Sequence, residues 1–139
     1  TGMGLEKAKS LLEVTDGNTF LDLIAKQVES MKTEFKVKDL KFMLMNSFAT
    51  SKDTLEALAK YESLGKGDDL EFVQNKAPKV TASDFSPATW EKEPSNEFCP
   101  PGHGDLYPAM LGSGTLDKLL KAGFKWMFVS NSDNLGATM

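Results

Sequence analysis

The chain has one cysteine, one histidine, no excess of basic residues and no long apolar run. Each shortage excludes a class of protein. A single thiol, Cys99, rules out an internal disulfide framework and fits a reducing compartment. One histidine and one cysteine are too few parts for a zinc site or a Cys–His nucleophilic pair. A net charge of −4 over 139 residues argues against nucleic acid as a partner, which would call for a basic face. The lysines are scattered and mixed with acids, as on a solvated surface. No stretch is apolar for long enough to span a membrane, and no signal-peptide pattern opens the chain. The expectation is one soluble, cytoplasmic domain with a modest core.

What is present alternates helix with strand. Over residues 19–35 the apolar Phe20, Ile24, Val28, Met31 and Phe35 recur at steps of three or four, one face of an amphipathic helix. Asp16-Gly17-Asn18 reads as a turn ahead of it, and Asn18 or Thr19 can cap its first turn. Residues 40–45 are apolar apart from Lys41 and predict a strand buried on both faces. Ser51-Lys52-Asp53-Thr54 starts a second helix carrying Leu55, Leu58 and Tyr61, with Gly65 as its stop. Residues 70–73 read as another short strand. A long irregular stretch over 75–99 follows, punctuated by Pro78, Pro87 and Pro94. A third helical region covers 106–111 and 116–122, with Leu116, Leu119 and Leu120 as its buried stripe. Gly123 ends it, and 124–129 is the last predicted strand.

Helices alternating with buried strands predict an α/β fold of the nucleotide-binding type, with right-handed crossovers and a mostly parallel sheet covered on both faces. Ligands of such sheets bind beyond the carboxyl ends of the strands. Asn46-Ser47, Gln74 and Asn131-Ser132-Asp133 each fall just past a predicted strand end. The hexapeptide Pro100-Pro101-Gly102-His103-Gly104-Asp105 holds two rigid prolines, two permissive glycines, the histidine and a carboxylate. It reads either as backbone shaped to touch a flat ligand or as a tight turn in which Asp105 caps the helix from Leu106. Near the start, Gly2 and Gly4 allow close approach of backbone N–H groups to phosphate oxygens, and Lys9 would add a cation. A solvated lysine is the plainer alternative there.

Five strings, in order, resemble one family. They are Thr1-Gly2-Met3-Gly4-Leu5-Glu6-Lys7-Ala8-Lys9-Ser10, Leu44-Met45-Asn46-Ser47-Phe48, Phe72-Val73-Gln74-Asn75, the Pro100–Asp105 hexapeptide and Val129-Ser130-Asn131-Ser132-Asp133-Asn134-Leu135-Gly136-Ala137. The chain resembles the eukaryotic-type UDP-glucose pyrophosphorylases, or UTP–glucose-1-phosphate uridylyltransferases, along nearly its whole length. PPGHGD and NSDNLGA are the most specific of the motifs.

The resemblance implies a Rossmann-like nucleotide-diphospho-sugar transferase fold and conversion of UTP and glucose 1-phosphate to UDP-glucose and pyrophosphate with Mg2+. It assigns Gly2, Met3 and Gly4 to the phosphate loop and Lys9 to UTP. Many members read Gly-Pro-Lys-Ser where this chain reads Lys7-Ala8-Lys9-Ser10, which leaves the segment less rigid. Gln74 matches a uracil-contacting glutamine, Gly102 the glycine whose backbone meets the base, Pro101 a substrate-binding residue, and Met45 an apolar wall beside the base. A solvated strand end and a core methionine are the plainer readings of Gln74 and Met45. His103 matches a substrate-contacting histidine, while Asp105 reads as a helix cap. Asn131 and Ser132 would contact the nucleotide-sugar, and Asp133 the metal and phosphates. One carboxylate suffices for that, because Mg2+ takes most of its ligands from phosphate and water. Lys9 and Asp133 are therefore the expected catalytic pair.

By the same resemblance, residues 1–139 form part of a catalytic domain. A strand would precede Thr1, further sequence with another lysine would follow Met139, and the piece alone would be inactive. A homo-oligomer is an expected state. A related enzyme charging another sugar 1-phosphate, or a non-catalytic nucleotide-binding fragment, are the alternatives.

Overall fold

The computed structural model describes residues 7–137. A 3-10 turn at Lys9–Leu11 leads into an antiparallel ribbon of β1 (Glu13–Thr15) and β2 (Asn18–Thr19). Asp16 and Gly17 join the two strands with φ of 49° and 73°, the positive angles that a two-residue Asp-Gly turn supplies cheaply. Helix α1 (Phe20–Glu34) starts at once, because Thr19 and Asp22 form a reciprocal capping box. The Thr19 hydroxyl accepts from the Asp22 amide at 3.1 Å, and the Asp22 carboxylate accepts from the Thr19 amide at 3.0 Å.

Strand β3 (Leu44–Asn46) runs parallel to β4 (Glu71–Val73), with Met45 opposite Phe72, and α2 (Ser51–Leu58) lies between them in sequence. The period of two in β3 divides its side chains between two cores. Leu44 packs with Leu21, Ala25, Val28 and Leu58 of α1 and α2 on one face. Met43 and Met45 pack with Phe72, Ala109 and Met110 on the other. That second core is closed by α3 (Leu106–Gly112) and α4 (Thr115–Lys121), which hinge at Gly114 with φ 73°. Between β4 and α3 a short antiparallel ladder of β5 (Ala77–Pro78) and β6 (Phe98–Cys99) closes the base of the long loop.

Five expectations need correction. The strand read over 40–45 is shorter and later, because its partner β4 offers only three residues to pair with. The described residues form no extended parallel sheet: β3–β4 is a parallel pair, and the two antiparallel ladders are separate two-stranded sheets. Residues 124–129 form no strand, since no described strand lies alongside to complete a ladder, and Trp126 is 92% exposed. Leu120 faces solvent while Leu116 and Leu119 pack inward, so the buried stripe of α4 is narrower than its leucines imply. Helix α2 also stops before Tyr61, whose hydroxyl is drawn to Asp22 of α1 at 2.8 Å. No described helix is long and apolar enough to cross a membrane.

Candidate functional site

The parallel pair ends at Asn46 and Val73, and polar side chains gather beyond both. Glu71 ties the edge together. Its carboxylate accepts from the Asn46 amide at 2.6 Å and from the Ser51 hydroxyl, on the first turn of α2, also at 2.6 Å. A negative charge at a helix amino end is favourable. Ser47 turns the chain into α2 by donating its backbone N–H to the Thr50 hydroxyl at 3.0 Å.

Gln74 extends the β4 ladder by one bond, its N–H reaching the Asn46 carbonyl at 2.8 Å. Its side-chain Oε1 is buried with no donor among the described residues. A buried acceptor without a donor is costly, so this oxygen is either strained or waiting for a ligand. Two positions on, the Lys76 ammonium lies 4.7 Å from the centre of the Phe48 ring, a cation–π contact between the loops that follow β4 and β3.

The hexapeptide sits beside this edge. Gly102 has φ 106° and ψ −170°, a region essentially confined to glycine, and it opens a 3-10 turn at His103–Asp105. Asp105 is buried, and it does not cap α3 with its side chain. That expectation is overturned, because the carboxylate is used elsewhere. It accepts from the Asn75 backbone N–H at 2.6 Å and from the Asn75 side-chain amide at 2.9 Å. Neither Asn75 nor this role of Asp105 was legible beforehand; the one available signal was a carboxylate inside a loop already singled out. His103, in the same turn, is exposed.

Lys9 and Asp133 meet. The Lys9 ammonium donates to the Asp133 carboxylate in an ion pair between the opening 3-10 turn and the turn that follows Asn131. That bond holds the Asp133 carboxyl below the usual carboxylate range, and the charge of His103 acts in the same direction. The chain contains no arginine, so the side-chain cation this chain brings to the edge is a lysine, a point charge rather than a planar fork. Asn131 is exposed and Ser132 half-buried beside Asp133. Met45 is half-buried against the Phe72–Met110 core, which fits the plainer reading of it as core. Pro101 is exposed in the hexapeptide loop. Gly2, Met3 and Gly4 lie outside the described residues.

No group of three or more histidines, cysteines or carboxylates exists among the described residues. A closed protein cage for a metal is thus absent there, but one partly exposed carboxylate, Asp133, suits a hard cation that draws its other ligands from phosphate and water. A cleft lined by Asp39, Ala122, Gly123, Phe124, Lys125 and Trp126 contains none of these residues.

A parallel strand pair with helices on both faces and polar groups past its strand ends defines a mixed helix-and-strand protein with its candidate site at the sheet edge. A family model for UTP–glucose-1-phosphate uridylyltransferase matches residues 1–139, and the chain belongs to that family. It is 43% identical over 138 residues to the enzyme of that name from Solanum tuberosum and 42% identical over 140 residues to that from Saccharomyces cerevisiae. Among solved structures it resembles UDP-glucose phosphorylase from Trypanosoma brucei with a TM-score of 0.91 at 48% identity. A mutant UDP-glucose pyrophosphorylase from Leishmania major, in complex with UDP-glucose, matches with a TM-score of 0.89, also at 48% identity. Each of these solved structures covers 99% of this chain. The chain spans 28% of the length of the two curated relatives and 29–30% of the two solved chains.

Proposed function

We propose that this chain serves a uridylyltransferase that joins UTP and glucose 1-phosphate into UDP-glucose and pyrophosphate, as the nucleotide-holding part of a Rossmann-like catalytic domain. The observation that carries this reading is the meeting of Lys9 and Asp133. Residues of opposite charge from distant parts of the chain converge where a phosphate and a cation would lie between them.

In the proposed reaction, a phosphate oxygen of glucose 1-phosphate forms a bond to the α-phosphorus of UTP. The bond from that phosphorus to the bridging oxygen of pyrophosphate breaks, and no covalent bond to the protein forms. The work is to position two anions and offset their repulsion. Lys9 leaves Asp133 for the triphosphate, and His103 donates a hydrogen bond to a phosphate or sugar oxygen. Asp133 is the carboxylate that would hold Mg2+, whose charge neutralises phosphate oxygens. Gln74 Oε1 accepts the uracil N3–H, which supplies the donor this buried oxygen lacks among the described residues. The backbone of Gly102 faces the base, and Asn131 and Ser132 face the nucleotide-sugar.

Calorimetry on the full-length protein with Mg2+ tests this, using UDP-glucose against ADP-glucose. Binding selective for the uridine compound supports the reading, and equal or absent binding of both removes it.

A further inference from the structure

We infer that Asp105 is a positioning residue for base recognition: its carboxylate fixes the Gln74–Asn75 peptide and so aims the Gln74 side chain. This rests on the proposed role of Gln74 as the reader of uracil. A side chain leaves its Cα in a direction set by the two peptide planes that flank it. The plane before Gln74 is held by the bond from the Gln74 N–H to the Asn46 carbonyl, 2.8 Å. The plane after it contains the Asn75 N–H, held by Asp105 at 2.6 Å. Both dihedrals of Gln74 are thereby tied, one to strand β3 and one to the hexapeptide turn.

The acceptor is well chosen for this. Asp105 is buried, and a charge-assisted hydrogen bond is shorter and stronger than a neutral one. Its second oxygen takes the Asn75 side-chain amide at 2.9 Å, which stops the carboxylate from rotating away. Its own backbone N–H returns to the Gly102 carbonyl at 3.1 Å. One residue thus links the peptide that follows Gln74 to the Gly102 carbonyl. Preorganised donors and acceptors bind more tightly because less ordering remains to be done on binding.

The test is UTP against CTP as substrate for the full-length protein, comparing wild type, Asp105→Asn, Gln74→Ala and the double variant. Cytosine lacks the N3–H that Gln74 would accept. Asp105→Asn keeps the shape but loses the charge and one acceptor. It is expected to raise KM for UTP and lower the UTP:CTP preference by about tenfold each, the scale of one charge-assisted hydrogen bond, with kcat at saturating UTP far less affected. Amide exchange at Asn75 should speed up in the same variant. In the Gln74→Ala background the Asp105 substitution should cost no further selectivity, since the two act as one unit. If Gln74→Ala loses uridine preference while Asp105→Asn keeps it, this inference fails and the proposed function stands. If Gln74→Ala keeps the preference, the base-reading role falls and this inference falls with it. Should Asp105→Asn not fold, Asn75→Ala removes only the 2.9 Å bond. A smaller drop in preference, about threefold, supports the inference there, and none overturns it.

Discussion

Lys9 and Asp133 are 124 positions apart in the chain and bonded side chain to side chain. Both are partly exposed, 48% and 32% by side chain, so the pair is a weak support for the fold. Two charges held together without stabilising much are free to be redirected toward a ligand. Lys9→Ala and Asp133→Asn should therefore melt close to wild type while turnover falls by about 10²–10³, the usual effect of removing one well-placed charge stabiliser. Thermal unfolding and kcat on the same preparations check this. Near-wild-type turnover in either variant would dismiss its role.

Removing divalent cations should separate activity from stability in the same way. Among the described residues no cluster of three metal-ligating side chains ties the fold together. Treatment with EDTA should abolish UDP-glucose formation and leave the melting temperature unchanged, with activity restored by Mg2+. A drop in melting temperature on chelation would point to a structural metal and count against Asp133 as a ligand shared with substrate.

Legibility in the sequence followed the range of the interaction. Helix α1 was readable because spacing, cap and Asp-Gly turn all act within a few residues. The carboxyl ends of β3 and β4 were readable because an apolar run gives way to polar residues there, although Asn46 and Ser47 are themselves buried. Residues 124–129 misled for the opposite reason, since an apolar run names a strand only if another strand pairs with it. The buried side of α4 was misjudged at Leu120 because the neighbouring Phe72 and Met110 cover only one part of its leucine face. Asp105 could be noticed but not understood, because its partner Asn75 lies thirty positions upstream. The ion pair of Lys9 with Asp133 was foreseeable as two roles and not as one contact.

Gly102 provides a test of the hexapeptide as shaped backbone. A Cβ built there would meet nothing within 4 Å, so the obstacle to a side chain is conformation alone. Its φ of 106° with ψ of −170° is costly for any other residue, about 1–3 kcal/mol. Gly102→Ala should lose stability on that scale and weaken uridine-nucleotide binding as the turn relaxes away from the edge. Gly104 also has open space around it but no positive φ, so Gly104→Ala should be the milder change in stability. Chemical denaturation of both variants decides it; equal losses would show that φ at Gly102 is not what matters.

The Asp22 cluster should set the pH limits of the fold. Asp22 is buried at the start of α1 and accepts from Thr19, from the Tyr61 hydroxyl at 2.8 Å and from the Lys60 ammonium at 2.7 Å. Burial by itself would raise its carboxyl, but Lys60, the Thr19 backbone and Tyr61 outweigh it and hold it far below the usual carboxylate range. A depressed carboxyl contributes stability above its unfolded value, about 3.9, and that contribution is lost as pH falls through the folded value. Tyr61 is displaced the other way. Burial, then the hydrogen bond to Asp22 and its charge, push the phenol from 10.0 up to about 12. Its contribution is complete below pH 10.0 and is lost as pH rises toward about 12. Tyr61→Phe should cost about 1.5–3 kcal/mol near neutral pH, the range for a hydrogen bond to a charged group, and flatten the alkaline limb of the stability curve. Asp22→Asn should flatten the acid limb instead. Urea unfolding across a pH series separates the two, and curves for wild type and Tyr61→Phe that stay parallel above pH 10.0 would rule out the phenol as the source of alkaline sensitivity.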